Sequence, residues 1–170
     1  PIPMYYSNNP EDALKYASLS SKTTHANEMC VDACRYMAGI IVGLLNDESK
    51  ETVLSSMYSP VNNYFDNEPL CDEIKEVASG SFKTKQPPEI KGTGFVVKSL
   101  EAALWAFYNA DNFREGALKV VNLGDDADTT GAVYGQIAGS FYNIPQDWID
   151  IITMKNKIMD ITHKLISVLK

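Results

Sequence analysis

Between Gly124 and Gly131 the chain reads Gly-Asp-Asp-Ala-Asp-Thr-Thr-Gly, with three carboxylates and two hydroxyls in eight residues. Oxygen donors this dense suit a hard cation, because magnesium and calcium select oxygen ligands. Carboxylates this close also repel one another unless a cation or a helix N-terminus offsets the charge. The structural alternative is that Asp128 or Thr129 caps the helix that follows. An EF-hand is excluded by counting. From Asp126 the loop has Asp128 third and Gly131 sixth, but Ile137 stands twelfth where a bidentate Glu is required, and counting from Asp125 puts Thr130 in the sixth place. Asp126, Asp128 and Thr129 are therefore candidate ligands of a magnesium site.

The elements that must position this loop read as helices throughout, so the expected fold class is all-α. Asn9-Pro10 supplies a cap and a first-turn proline for a helix to about Ser20. From Ala26 to Leu45 apolar residues recur at steps of three and four, the period of a buried helical face. Asp47 is expected to cap a helix over about 48–58, with another over about 70–79. Two prolines and two glycines make Lys83 to Gly94 an irregular loop. Helices are expected again at Val96 to Tyr108, at Phe113 to Leu123 with Gly124 left-handed after it, and from Thr129 to Tyr142. Pro145 opens one to Thr153, and the last runs from about Lys155 to Leu169. Gly131, Gly135 and Gly139 fall four apart, which implies close approach of another helix.

Composition narrows the function classes. A length of 170 residues with 45% apolar content fits one domain or most of one. Fifteen basic against 22 acidic residues, with no Lys/Arg stripe, argue against sequence-independent nucleic-acid binding. The longest apolar run, Met37 to Leu45, falls well short of the ~20 residues needed to cross a bilayer. Cys30, Cys34 and Cys71 lack Cys-x-x-Cys spacing, so neither a disulfide framework nor a zinc site is supported, and a reducing, cytoplasmic setting is expected. The opening Pro1-Ile2-Pro3-Met4 reads as a cut through a longer protein.

The string Asn122-Leu-Gly-Asp-Asp-Ala-Asp-Thr-Thr-Gly-Ala-Val-Tyr-Gly-Gln-Ile-Ala-Gly139 closely resembles the C-terminal signature of the ADP-ribosylglycohydrolase family. Ser20-Ser-Lys-Thr-Thr-His25, Gly92-Thr-Gly-Phe-Val-Val97 and Ile144-Pro-Gln-Asp-Trp148 agree with it in order and spacing. The resemblance implies a compact all-α domain, of which residues 1–170 form the C-terminal portion, with two magnesium ions at the bottom of a cleft that receives ADP-ribose. It carries the metal ligands onto Asp126, Asp128 and Thr129, while Asp125 stands where the family varies. His25 matches a histidine of the ADP-ribose cleft, and Gly92, Thr93, Gly94 and Phe95 match a loop bordering the nucleotide.

The implied reaction is hydrolysis at the ribose carbon joining ADP-ribose to an acceptor, through an oxocarbenium-like transition state. Asp126 is the candidate to assist the attacking water. The family's other metal motif, of Thr-Asp-Asp-Thr type, is absent from these residues, as is its Asn-Gly segment. The chain alone is therefore expected to be inactive, and the missing N-terminal segment of the same protein is its expected partner beside an ADP-ribosylated substrate. Two other functions remain open. One is a non-catalytic relative, since the resemblance extends to lens crystallins. The other is an all-α isoprenoid synthase, whose magnesium motif is Asp-Asp-x-x-Asp against Asp-Asp-x-Asp here.

Overall fold

The computed structural model describes residues 1–168. Twelve helices and no strand occur among them. The organising element is α3 (Glu28–Leu45), capped by Asn27, whose side chain accepts from the Met29 amide. One face of α3 buries Tyr36, Ile40 and Leu44 in a single core with Ile74 of α6 (Asp72–Ala78), Leu104 and Phe107 of α8 (Val96–Tyr108), and Tyr134 and Ile137 of α10 (Ala127–Ala138). Ten of the thirteen residues of α8 are buried, as expected of a helix apolar nearly all round. In front of this core, α2 (Pro10–Lys22) lies along α3 and is capped by Asn9, which accepts from the Asp12 amide. Behind it, α9 (Phe113–Val121) packs on α10, with α1 (Ile2–Tyr5) and the pair α11 (Gln146–Ile151) and α12 (Lys155–Val168) at the ends of the chain.

The periodic segments therefore fold as expected, with boundaries shifted by four residues or fewer. The short connections differ. The helix expected over 48–58 shrinks to α4 (Lys50–Val53), capped by Ser49 and not by Asp47, because Asp47 takes a left-handed φ of 63° and Met57 one of 54°. Single turns α5 (Tyr64–Asn67) and α7 (Ser81–Thr84) form where no helix was expected, the second running into the loop expected from Lys83. Leu169, the expected last residue of the final helix, lies outside the described residues. The glycine stripe of α10 brings a neighbour close only at Gly131, where an added Cβ would lie 3.2 Å from Val121; at Gly135 the space is open.

Two ionic clusters tie loops to the core. Asp32 and Arg35 on α3 pair at 2.8 Å, Asp32 accepts from the Cys71 amide, and Arg35 donates to the carbonyls of Glu68 and Pro69. On α8, Glu101 is 1% exposed and accepts from Lys85 and Lys98 at 2.8 Å and from the Ser81 hydroxyl. It thereby clasps α7 and the start of the following loop to the core. Burial pushes the Glu101 carboxyl up, but the bonds from Lys85, Lys98 and Ser81 outweigh it and hold the carboxyl below the usual range. Glu101→Gln is expected to destabilise the fold by about 1–2 kcal/mol, because it removes the charged acceptor of a buried cluster and leaves Lys98 without its counter-charge and Lys85 with Glu76 alone. A carboxyl held low when folded stabilises the protein above its unfolded value, about 4.3, and loses that contribution as pH falls through the folded value. Urea melts should therefore show the variant well below the native protein at pH 7 and the gap narrowing near pH 3.

Candidate functional site

The acidic loop is shaped by two consecutive left-handed residues, Gly124 (φ 75°) and Asp125 (φ 53°), which end the α9 connection and turn the chain into α10. Asp and Gly are the residue types that visit this region most readily. Asp126 then sits at the N-cap position with its backbone clamped on both sides. Its amide donates to the Gly92 carbonyl at 2.8 Å, and its carbonyl accepts from the Thr130 amide at 3.1 Å and the Thr130 hydroxyl at 2.9 Å. Thr130 is fully buried beneath it. The Asp126 carboxylate makes no cap bond, so its oxygens are left to a group other than the helix. The capping alternative for Asp128 or Thr129 fails on position, since both lie inside the first turn of α10, where a negative side chain still faces the positive end of the helix.

The glycine loop explains its own composition. A Cβ on Gly94 would come within 2.6 Å of the Asp126 carboxylate, and one on Gly92 within 2.9 Å of the Gly124 carbonyl. Only the absence of side chains lets this backbone lie flat against the acidic turn. Thr93 turns its hydroxyl to the Phe95 amide at 3.3 Å, and Phe95 projects with 51% of its surface exposed.

A cavity of about 690 Å³ lies between α2, α3, α8 and α10, within the size range of small-molecule sites. His25, Gly94, Phe95 and Thr129 all line it, so four of the residues singled out in the sequence meet at one place from three separate segments. Gly92, Thr93, Asp126 and Asp128 are not part of the cavity wall; the first three stand behind it in the support just described, and Asp128 is exposed on the first turn of α10. His25 is exposed in the turn between α2 and α3. Its Nδ1 lies 3.0 Å from the Thr24 hydroxyl, and its carbonyl accepts from Ser21, so the ring is oriented by its own turn. The rest of the wall is mostly apolar, with Ala33 and Met37 from α3 and Leu100 from α8.

Two carboxylates and a hydroxyl are the right chemistry for magnesium, and the free carboxylate of Asp126 is the observation that fits it. They are too few to complete a site. Among the described residues no group of three His, Cys, Asp or Glu side chains is placed to hold a metal ion, whereas magnesium takes six oxygens. Sequence reasoning missed Thr130, although it stands inside the acidic string, and Ser99 on α8. The Ser99 hydroxyl lacks a hydrogen-bond partner and its residue borders the cavity. A serine within an apolar helical run carries no signal that would single it out.

The chain belongs to the ADP-ribosylglycohydrolase family, whose family model matches residues 1–170. It is 34% identical over 148 residues to the ADP-ribosylarginine hydrolase Tri1 of Serratia proteamaculans (strain 568), a match covering 85% of this chain and 38% of the relative. It is 33% identical over 73 residues to the ADP-ribosyl-[dinitrogen reductase] glycohydrolase of Rhodospirillum rubrum, covering 41% of this chain and 25% of that one. A solved structure described as an ADP-ribosylglycohydrolase-related protein complex superposes with a TM-score of 0.86 at 32% identity, over 99% of this chain and 57% of its own. The chain thus spans about half, or less, of the length of these relatives.

Proposed function

We propose that this chain forms the C-terminal part of a magnesium-dependent hydrolase that releases ADP-ribose from ADP-ribosylated protein, with arginine as the first acceptor to test. The observation that supports this most directly is the acidic turn of Asp126, Asp128 and Thr129, locked to the glycine loop beside a cavity that His25 and Phe95 also border. The arginine acceptor follows the relative from Serratia, whose name states that activity.

In this reading Asp126, Asp128 and Thr129 hold magnesium, with the remaining ligands and the second ion's site completed by residues upstream of Pro1. Magnesium, when bound, orients hydroxyls and favours ionisation of water. The protein's own contribution is position. Thr130 and Gly92 fix the Asp126 backbone, and Gly94 leaves its carboxylate room to take a proton from the attacking water. Phe95 offers a face to the nucleotide, and His25 a donor to the ADP-ribose. A purely structural, crystallin-like role has no use for an uncapped carboxylate in this position, and family membership leaves no support for the isoprenoid alternative.

No helix among the described residues is long and apolar enough to cross a membrane. The three cysteines are free, which supports the cytoplasm as the compartment we propose. The test is release of ADP-ribose from ADP-ribosylarginine protein by the complete polypeptide, with and without magnesium; no release under either condition would sink the proposal. His25→Ala is expected to weaken ADP-ribose binding about tenfold, the scale of one lost hydrogen bond to a charged group, and to leave magnesium affinity unchanged. Titration calorimetry with each ligand separates the two.

A further inference from the structure

Three sulfur-bearing side chains follow one another along the wall that α3 gives to the cavity. Cys30, Cys34 and Met37 stand at steps of four and three, the spacing that places side chains on one helical face, and all three line the cavity. Both cysteines are free, Cys34 exposed and Cys30 half-buried. Cys71, at the N-cap of α6, is not part of this wall. The proposed hydrolysis uses none of these sulfurs. Desolvation pushes the Cys34 thiol up, with the Ser21 hydroxyl pulling the other way, so at neutral pH it is protonated and a slow nucleophile.

Spacing decides what this pair of thiols can do. Residues four apart on a helix hold their Cβ atoms ~5–6 Å apart, whereas a disulfide needs roughly 3.5–4.5 Å. Cys30 and Cys34 therefore cannot close on each other without unwinding α3, which is helical through this stretch. An ion with metal–sulfur bonds of ~2.3 Å bridges sulfurs up to ~4.6 Å apart, which two side chains leaning together reach. Thiolate and thioether donors select soft ions, copper(I) and zinc among them. Zinc takes four ligands in a tetrahedron, and among the described residues no group of three His, Cys, Asp or Glu side chains is placed to hold an ion. Copper(I), a closed-shell soft ion, is satisfied by two thiolates in line or by two thiolates and a thioether.

We propose that Cys30 and Cys34, with Met37 as a third donor, form a copper(I) site in the cavity wall, and that an ion bound there opposes ADP-ribose. The site itself stands on the sulfur geometry; its effect on ADP-ribose rests on the reading of the cavity given above. On binding, two S–H bonds break and two sulfur–copper bonds form. Both protons leave to solvent, and copper stays monovalent, so no oxidant or reductant is needed. Two neutral thiols and one monovalent cation thereby become a singly negative group on a wall that has no Asp or Glu of its own among the described residues. The diphosphate of ADP-ribose is also negative, and like charges repel more strongly beside an apolar wall than in open water. Affinity for ADP-ribose is expected to fall about tenfold when copper is bound, the size of one partly screened repulsion.

The test titrates the complete, reduced polypeptide with copper(I) under nitrogen, in competition with the coloured chelator bicinchoninate. The expected result is one ion taken from the chelator per chain, lost in Cys30→Ser and in Cys34→Ser and kept in Cys71→Ser. A second measurement needs no variant: copper should shield Cys30 and Cys34 of the native protein from iodoacetamide, mapped by mass spectrometry. The site is overturned if no copper leaves the chelator, if Cys71 is shielded instead, if the Cys30 and Cys34 variants keep the ion, or if zinc is held as tightly. Unchanged ADP-ribose affinity of the copper-loaded protein overturns the effect on the cavity. A protein that hydrolyses ADP-ribosylarginine but takes no copper defeats this inference alone. Copper uptake without hydrolysis defeats the proposed activity alone.

Discussion

Asp128→Ala is expected to abolish magnesium-dependent release of ADP-ribose by the complete enzyme, by at least about 10³-fold or ~4 kcal/mol of barrier, while leaving the helical fold in place. Asp128 is exposed on the first turn of α10, beside the uncapped carboxylate of Asp126 and the hydroxyl of Thr129. Removing it takes one of only three donors from this side of the site, and magnesium held by two keeps its waters instead of a fixed orientation. Stability should change by less than about 1 kcal/mol, because loss of a first-turn acid costs a fraction of that while relief of repulsion from Asp125 and Asp126 offsets it. The measurement is kcat against magnesium concentration together with a thermal melt. Full activity at ordinary magnesium with an unchanged melt would remove Asp128 from the site. Loss of activity with a collapsed melt would instead make it structural.

Much of this site is readable before folding because its residues are close in sequence. The acidic turn is eight residues long, and its crowding of carboxylates is a local fact that no tertiary contact is needed to see. The periodic helices α2, α3, α8 and α9 are legible for a related reason, since burial of one face imposes a three-to-four spacing and capping residues mark the starts. Short elements are not. The turn of α7 exists because Ser81 and Lys85 reach Glu101, sixteen or more residues away, and nothing local to 81–85 announces that partner. Asp47 failed as a cap because a left-handed residue was needed to end α3, and the same side-chain chemistry suits either use. The meeting of Gly94 with Asp126 lies between these cases. Both residues stand in recognisable motifs, but that one must lack a Cβ so that the other keeps its carboxylate room is visible only in three dimensions.

The 170-residue chain by itself is expected to bind magnesium weakly and to show no more than about one thousandth of the complete enzyme's turnover. The donor set explains the first part. Asp126, Asp128 and Thr129 come from one short stretch, and no group of three acidic, histidine or cysteine side chains among the described residues is placed to hold an ion. Magnesium retains its waters readily, so a partial site holds it loosely. Turnover fails more completely than binding, because ion, water and ribose must share one geometry, and well-oriented groups contribute effective molarities of roughly 10⁵ M and above. A cavity walled on this side alone also admits bulk water, which weakens every electrostatic contribution within it. The unmatched apolar surface adds a physical symptom. Ile151, Met154, Ile158 and Ile161 are each between 49% and 80% exposed, a patch expected to cause self-association or retention of a partner during purification. The check is to purify the chain, establish by mass that no second polypeptide accompanies it, and assay it beside the complete enzyme at equal magnesium. Supplying the upstream segment in trans should then restore activity in proportion to the complex formed. Turnover by the lone chain within tenfold of the complete enzyme would show that these residues already contain the whole catalytic site.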